Sequence, residues 1–162
     1  MTPWDERPPE VAHLFNPAFC ALLLRHAVKA YAKERGAGMA LGLAALVLPV
    51  LLHGRTRDAL PATTGALLHT WLQANPEVQV GLARRVQAIA PNTREAVLFG
   101  LQREVLAVSD GLLTAPTVRL RSYSPAPGSE AESCVRRSGF LGKWLAKSGS
   151  TATVLALWGL RP

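Results

Sequence analysis

Four histidines and two cysteines are the side chains of this 162-residue chain best suited to metal binding or nucleophilic work, and none is spaced for either. His13, His26, His53 and His69 are widely spread and form no HExxH pair, while Cys20 and Cys134 form no CxxC. His69 shares a predicted helix with Trp71 and reads as a core or boundary histidine. Gly142-Lys143 is followed by Trp144 rather than Ser or Thr, and Arg137 stands where a phosphate-binding loop needs glycine. No serine sits in GxSxG, and no GxGxxG occurs. Glu130 and Glu132 are two apart on a predicted helix, so they point away from each other. Acid–base catalysis needs a convergent pair or a tuned base. The residues supply no catalytic, cofactor-binding or metal-binding set, and the expectation is a protein that is not an enzyme.

Charge is the chemistry that remains. Lys and Arg total 18 against 11 Asp and Glu, a net +7 and a pI near 10.3. That excess suits an anionic partner, whether nucleic acid, an acidic protein face or a membrane surface, and does not choose among them. It is unevenly placed. Residues 1–38 hold 5 basic and 4 acidic groups, residues 39–111 hold 6 and 5, and residues 112–162 hold 7 and 2. Arg119 and Arg121 alternate along a predicted strand and so share a side. Arg136, Lys143 and Lys147 fall at spacings of seven and four, one helix face. With Arg137 they are the candidate contacts for DNA or an acidic partner. Trp71, Trp144 and Trp158 lie in apolar segments and read first as core. Aromatics and arginine also anchor interfaces, so these three and Arg161 are candidate partner-interface residues.

The elements that must position these groups are mostly helical. Residues 1–15 are Pro-rich and form a predicted N-terminal arm. Asn16-Pro17 starts a helix that Gly36-Ala37-Gly38 ends. Residues 39–53 form a second helix, apolar on every face and therefore buried, with Pro49 kinking or ending it. Its run is too short to cross a bilayer. Residues 55–60 read as a polar turn. A third helix, capped by Thr63 or Thr64, carries Leu67, Leu68, Trp71 and Leu72. A fourth spans residues 76–90, and Pro91-Asn92-Thr93 separates it from a fifth ending near Arg103. Ser109-Asp110-Gly111 between β-favouring segments predicts a type I′ hairpin. Residues 117–121 follow as a strand candidate. Residues 115–130 form a predicted loop, residues 130–147 a helix, and residues 151–158 an apolar segment whose type stays open. The two cysteines suit a reducing cytoplasm, and the start of the chain shows no secretory pattern. The predicted fold is mainly α with a small β-hairpin, a winged-helix-like single domain over residues 16–162.

An ordered series of short motifs carries a resemblance. It comprises Asn16-Pro17-Ala18-Phe19-Cys20, Leu48-Pro49, Arg57-Asp58-Ala59-Leu60-Pro61, Leu68-His69-Thr70-Trp71-Leu72, Asn75-Pro76 and Phe99-Gly100. It continues with Phe140-Leu141-Gly142-Lys143-Trp144 and ends on Ala156-Leu157-Trp158-Gly159-Leu160-Arg161-Pro162. In this order they resemble the middle component of three-component ABC systems, the small subunit found with an SMC-like ABC ATPase and an effector. Lamassu-type anti-phage and anti-plasmid systems belong to that group. The resemblance spans residues 14–162 and departs from the family in the arm and in the 115–130 loop. It implies a non-catalytic adaptor, without cofactor, that docks on the ATPase. Such a subunit would help hold an effector, often a nuclease, inactive until foreign DNA is sensed. Two other readings stand beside it. A stand-alone winged-helix DNA-binding regulator would use the charge of residues 112–162. An enzyme of another type would need a pocket with perturbed titratable groups.

Overall fold

The computed structural model describes residues 15–118 and 123–160. Helix α1, Pro17–Arg35, starts as its sequence requires: Asn16 Oδ1 accepts from the amides of Ala18 (2.9 Å) and Phe19 (3.4 Å). Gly36 ends it in the left-handed conformation at φ 74°. The predicted second helix divides. Met39–Ala40 is strand β1, and helix α2 runs Leu41–Leu51 with Pro49 inside it. Eight of its eleven residues are buried, which is why its sequence is apolar all round.

Residues predicted as a polar turn form a short helix, α3, Gly54–Ala59. Neither Thr63 nor Thr64 caps the next helix, because α4 begins later, at Leu68, and runs to Ala74. A 3₁₀ turn covers Pro76–Gln79. One continuous helix, α5, spans Leu82–Gln102 with Pro91 within it, so the predicted break at residues 91–93 does not occur. The break falls at Gly81 instead, whose φ of 68° a helix interior does not accept. Pro91 is exposed, while Leu82, Thr93, Ala96 and Gly100 are buried, so packing on both sides holds the helix together across it.

Strands β2, Ala107–Ser109, and β3, Leu112–Thr114, form the predicted hairpin. Asp110 (φ 53°) and Gly111 (φ 74°) are both left-handed, as a type I′ turn demands. β1 then joins the hairpin. The antiparallel order is β1-β3-β2, with Met39 opposite Leu113 and Val108 on its other side. Thr117 and Val118 lie outside any strand, and residues 119–121 of the predicted strand lie outside the described residues. Helix α6 occupies Glu130–Lys147, capped by Ser129, and helix α7 occupies Thr151–Leu157. The open segment is therefore helical. Of the predicted arm, residues 1–14 lie outside the described residues, and Phe15 packs on the core.

α1 lies along α6 and α5, α2 lies against all three, and α7 packs on α2 and α4. The result is a mostly helical domain with a small three-stranded sheet. The order α1-β1-α2, then α5-β2-β3, with β1 beside β3, is compatible with a winged helix. No helix among the described residues is long and apolar enough to cross a membrane.

Candidate interaction surfaces

The three tryptophans meet in one place. Trp71 on α4 packs edge-on against Trp144 of α6 at 5.1 Å between ring centroids, and against Trp158, just after α7, at 5.8 Å. Trp144 Nε1 donates to the Ala66 carbonyl (2.7 Å), and Trp71 Nε1 donates to the Ala59 carbonyl (3.1 Å). Their exposures are 9%, 0% and 1% for Trp71, Trp144 and Trp158. The structure therefore places these candidate anchors inside the core, where they join α4, α6 and α7. Arg161, the fourth, lies outside the described residues.

The candidate basic contacts are placed unevenly. Arg119 and Arg121 lie outside the described residues. Lys143 and Lys147 reach the same carboxylate, Glu34 of α1, at 3.8 and 3.3 Å. Both remain exposed, so this pair contributes little to stability and leaves the lysines reachable. Arg137 is held along the chain between α3 and α4. It donates to the Pro61 carbonyl (3.1 Å) and the Leu60 carbonyl (3.2 Å), with its guanidinium over Phe140 at 5.1 Å. Arg136 is exposed on α6. One helix face does carry Arg136, Lys143 and Lys147, but two of its three charges face an acid of the same molecule.

Three other arginines, absent from the sequence candidates, hold the structure together. Arg25 on α1 donates to the Val105 carbonyl (2.6 Å) and the Pro116 carbonyl (2.8 Å), fastening both ends of the hairpin region to α1. Arg57 on α3 donates to the Leu51 carbonyl (2.9 Å), Cys134 Sγ (3.1 Å) and Glu130 Oε1 (3.1 Å). It thereby joins the end of α2 to the first turns of α6. Arg85 on α5 donates to Val80, Val78 and Thr56 Oγ1. Most of these acceptors are either distant in sequence or backbone carbonyls that no residue type marks, so spacing gives no sign of them. The one cue is an arginine inside an apolar helical stripe, as at Leu22-Leu23-Leu24-Arg25.

Both cysteines are free and buried. Burial, with Cys134 and Glu95 adding to it, pushes the Cys20 thiol up to about 12. Burial also raises the Cys134 thiol, against the pull of Arg57. Both stay protonated at neutral pH, which makes them poor nucleophiles. Among the described residues, no group of three or more His, Cys, Asp and Glu is placed to hold a metal ion.

Two histidines have depressed pKa values. Burial, then Arg25 and Lys29, lowers that of His26. Burial, then Arg85 and Arg55, lowers that of His53. His53 Nδ1 also accepts from the Thr56 amide at the start of α3 (3.3 Å), a role that protonation removes. Below about pH 6.5, the ordinary histidine value, the unfolded chain binds more protons than the folded one. The contribution of these groups is therefore complete above that pH and is lost as pH falls through 6.5 toward the folded values. Thermal melts from pH 7.5 down to 5 should show a falling midpoint. His26→Gln with His53→Asn, which keeps a capping acceptor at residue 53, should flatten that fall; an unchanged slope would contradict this account.

The geometry describes a class: a small helical domain with a three-stranded sheet, whose interior arginines brace the backbone across long sequence distances. The chain belongs to the family of ABC-three component (ABC-3C) system Middle Component 3, whose model matches residues 4–162. It is therefore a middle component of an ABC-3C system and works alongside that system's other components. The match takes in most of the Pro-rich arm, which the motif resemblance had left out. No curated protein and no solved structure matches the chain.

Proposed function

We propose that this chain is a non-catalytic adaptor of a Lamassu-type defence complex in the cytoplasm. In this reading it bridges an SMC-like ABC ATPase and an effector, such as a nuclease, and helps control when the effector acts. The observation that carries it is the family match over nearly the whole chain. The braced interior supports it, because the charged side chains nearest the core are occupied in fixing the backbone. The test is co-expression with the ATPase and effector encoded beside it. The expected result is a stable assembly in at least one nucleotide state, with the effector lost from the ATPase when this chain is omitted. A chain that purifies alone in every nucleotide state would overturn the reading.

The sheet order favours one alternative, a winged-helix DNA-binding protein. There α5, the helix before the hairpin, would enter the major groove, and Arg119, Arg121 and Arg136 would meet phosphates. Several phosphate contacts give a steep fall of affinity with salt. A flat response, or no loss after reversing those three arginines to glutamate, would exclude it.

A further inference from the structure

The start of α5 runs against the usual electrostatics of helices. A helix N-terminus carries partial positive charge and favours acidic side chains or a polar cap. α5 opens on Gly81, with no capping side chain, and its first turn holds Arg84 and Arg85 and no acid. Beside it α3 opens on Gly54-Arg55, directly after His53. The bond from Arg85 Nη2 to Thr56 Oγ1 (3.3 Å) holds the two helix starts together. The charges acting on His53 are those of Arg85 and Arg55, with no carboxylate among them. The acids on neighbouring elements do not compensate. Asp58 faces Arg57, and Glu77 makes no ion pair among the described residues.

Arg55 and Arg84 are exposed, and neither has a hydrogen bond or ion pair among the described residues. Arg85 is occupied differently. It donates to the Val80 carbonyl (3.0 Å) and the Val78 carbonyl (3.1 Å) and so fixes the turn that precedes α5. Val78 is buried by that turn, and Val80 stands out of it, 72% exposed. Arg85 thus ties the turn that carries an exposed apolar side chain to Thr56, the neighbour of Arg55, and Arg55 and Arg84 on these two helix starts are left unpaired among the described residues.

We propose that Val80, Arg55 and Arg84 form a docking surface for an acidic segment of a partner protein. Carboxylates of that segment pair with the two arginines, and an apolar side chain of it covers Val80. Guanidinium groups recognise carboxylates through paired hydrogen bonds, and arginine is a frequent anchor of protein interfaces. A protein segment fits better than nucleic acid because a phosphate backbone offers nothing to an apolar knob. The proposal rests on the adaptor reading only in taking a protein as the partner.

The test uses the full chain and two fluorescent probes: a short peptide of glutamate pairs alternating with leucine, and a DNA duplex of similar charge. Arg55→Glu with Arg84→Glu should weaken peptide binding about tenfold or more, as loss of two direct charge contacts does. Val80→Ser should weaken it several-fold, and Lys33→Glu, exposed on α1, should leave it within about twofold. Amide shifts on peptide addition should centre on residues 80–85 and 54–56. These substitutions lie on exposed side chains, and a thermal melt of each variant confirms that it is folded. The proposal is overturned if the peptide does not bind, if Lys33→Glu weakens it as much as the double reversal, or if the duplex holds that patch more tightly than the peptide. Neither the ATPase nor the effector enters this measurement, so it can fail while the assembly stands, and the reverse.

Discussion

Gly142→Ala is expected to destabilise the protein by about 3 kcal/mol, near the upper end of what overpacking costs. The reason is the seam between α1 and α6. A Cβ at Gly142 would overlap the Ala27 carbonyl oxygen and lie 2.7 Å from Ala27 Cα, both backbone atoms that no rotamer change can move aside. The two helices would have to separate, and the residues packed around that seam, Leu141 and Trp144 among them, would lose contact with their neighbours. For a chain of this length the midpoint of thermal unfolding should fall by roughly 10 °C. Gly139→Ala, one turn earlier on the same helix, is the natural control. Nothing lies within 4 Å of its added Cβ, so the gain in helix propensity, about 0.5–1 kcal/mol, should stabilise the protein. Urea denaturation of both variants checks the pair. Two alanines that change stability in the same direction would show that the close approach of α1 and α6 is not what this glycine serves.

Arg57→Ala should cost a similar amount, about 3 kcal/mol, by a different mechanism. The side chain is 6% exposed, and its loss leaves a cavity where α2, α3 and α6 meet. The Leu51 carbonyl would keep only the long contact from Cys134 Sγ (3.5 Å), a weak donor. Arg57→Met refills much of the volume without the donors and should recover part of the loss, leaving about 1–2 kcal/mol. Glu130→Gln, at the solvent end of the same network and 59% exposed, should cost less than about 1 kcal/mol. That ranking, read from denaturant midpoints, separates the bonds to backbone and thiol from the surface ion pair. If Glu130→Gln proved as costly as Arg57→Ala, the ion pair rather than the carbonyl bond would be what the arginine supplies.

Both expectations concern the seams of a scaffold, and they bear on the proposed adaptor role. A subunit without catalytic chemistry transmits state through geometry, so the parts that fix geometry are where substitutions should disturb assembly. Gly142 and Arg57 act through the fold. Arg55, Arg84 and Val80 sit on its surface and can be changed without touching it. Comparing the two kinds of variant in one reconstituted complex distinguishes loss of fold from loss of docking.

The chain by itself determined the local events. Asn16-Pro17 and Gly36 bound α1 because a side-chain cap and a left-handed C-cap are set by neighbouring residues. Asp110-Gly111 fixed the hairpin because only such residues accept two consecutive left-handed conformations. The apolar run at residues 41–51 announced a buried helix, and the ordered motifs up to Trp158-Gly159-Leu160-Arg161-Pro162 announced the family. Tertiary structure decided whatever depended on a distant partner. Met39–Ala40 became a strand because β3 was there to pair with it. α5 ran through Pro91 because burial on both sides outweighed one lost hydrogen bond. The tryptophans became core and Arg25, Arg57 and Arg137 became braces because each meets partners tens of residues away. The same reason applies to the charge. Composition counts cations, but only the folded chain shows which are spent on Glu34 or on carbonyls and which, like Arg55 and Arg84, are left facing outward for a partner.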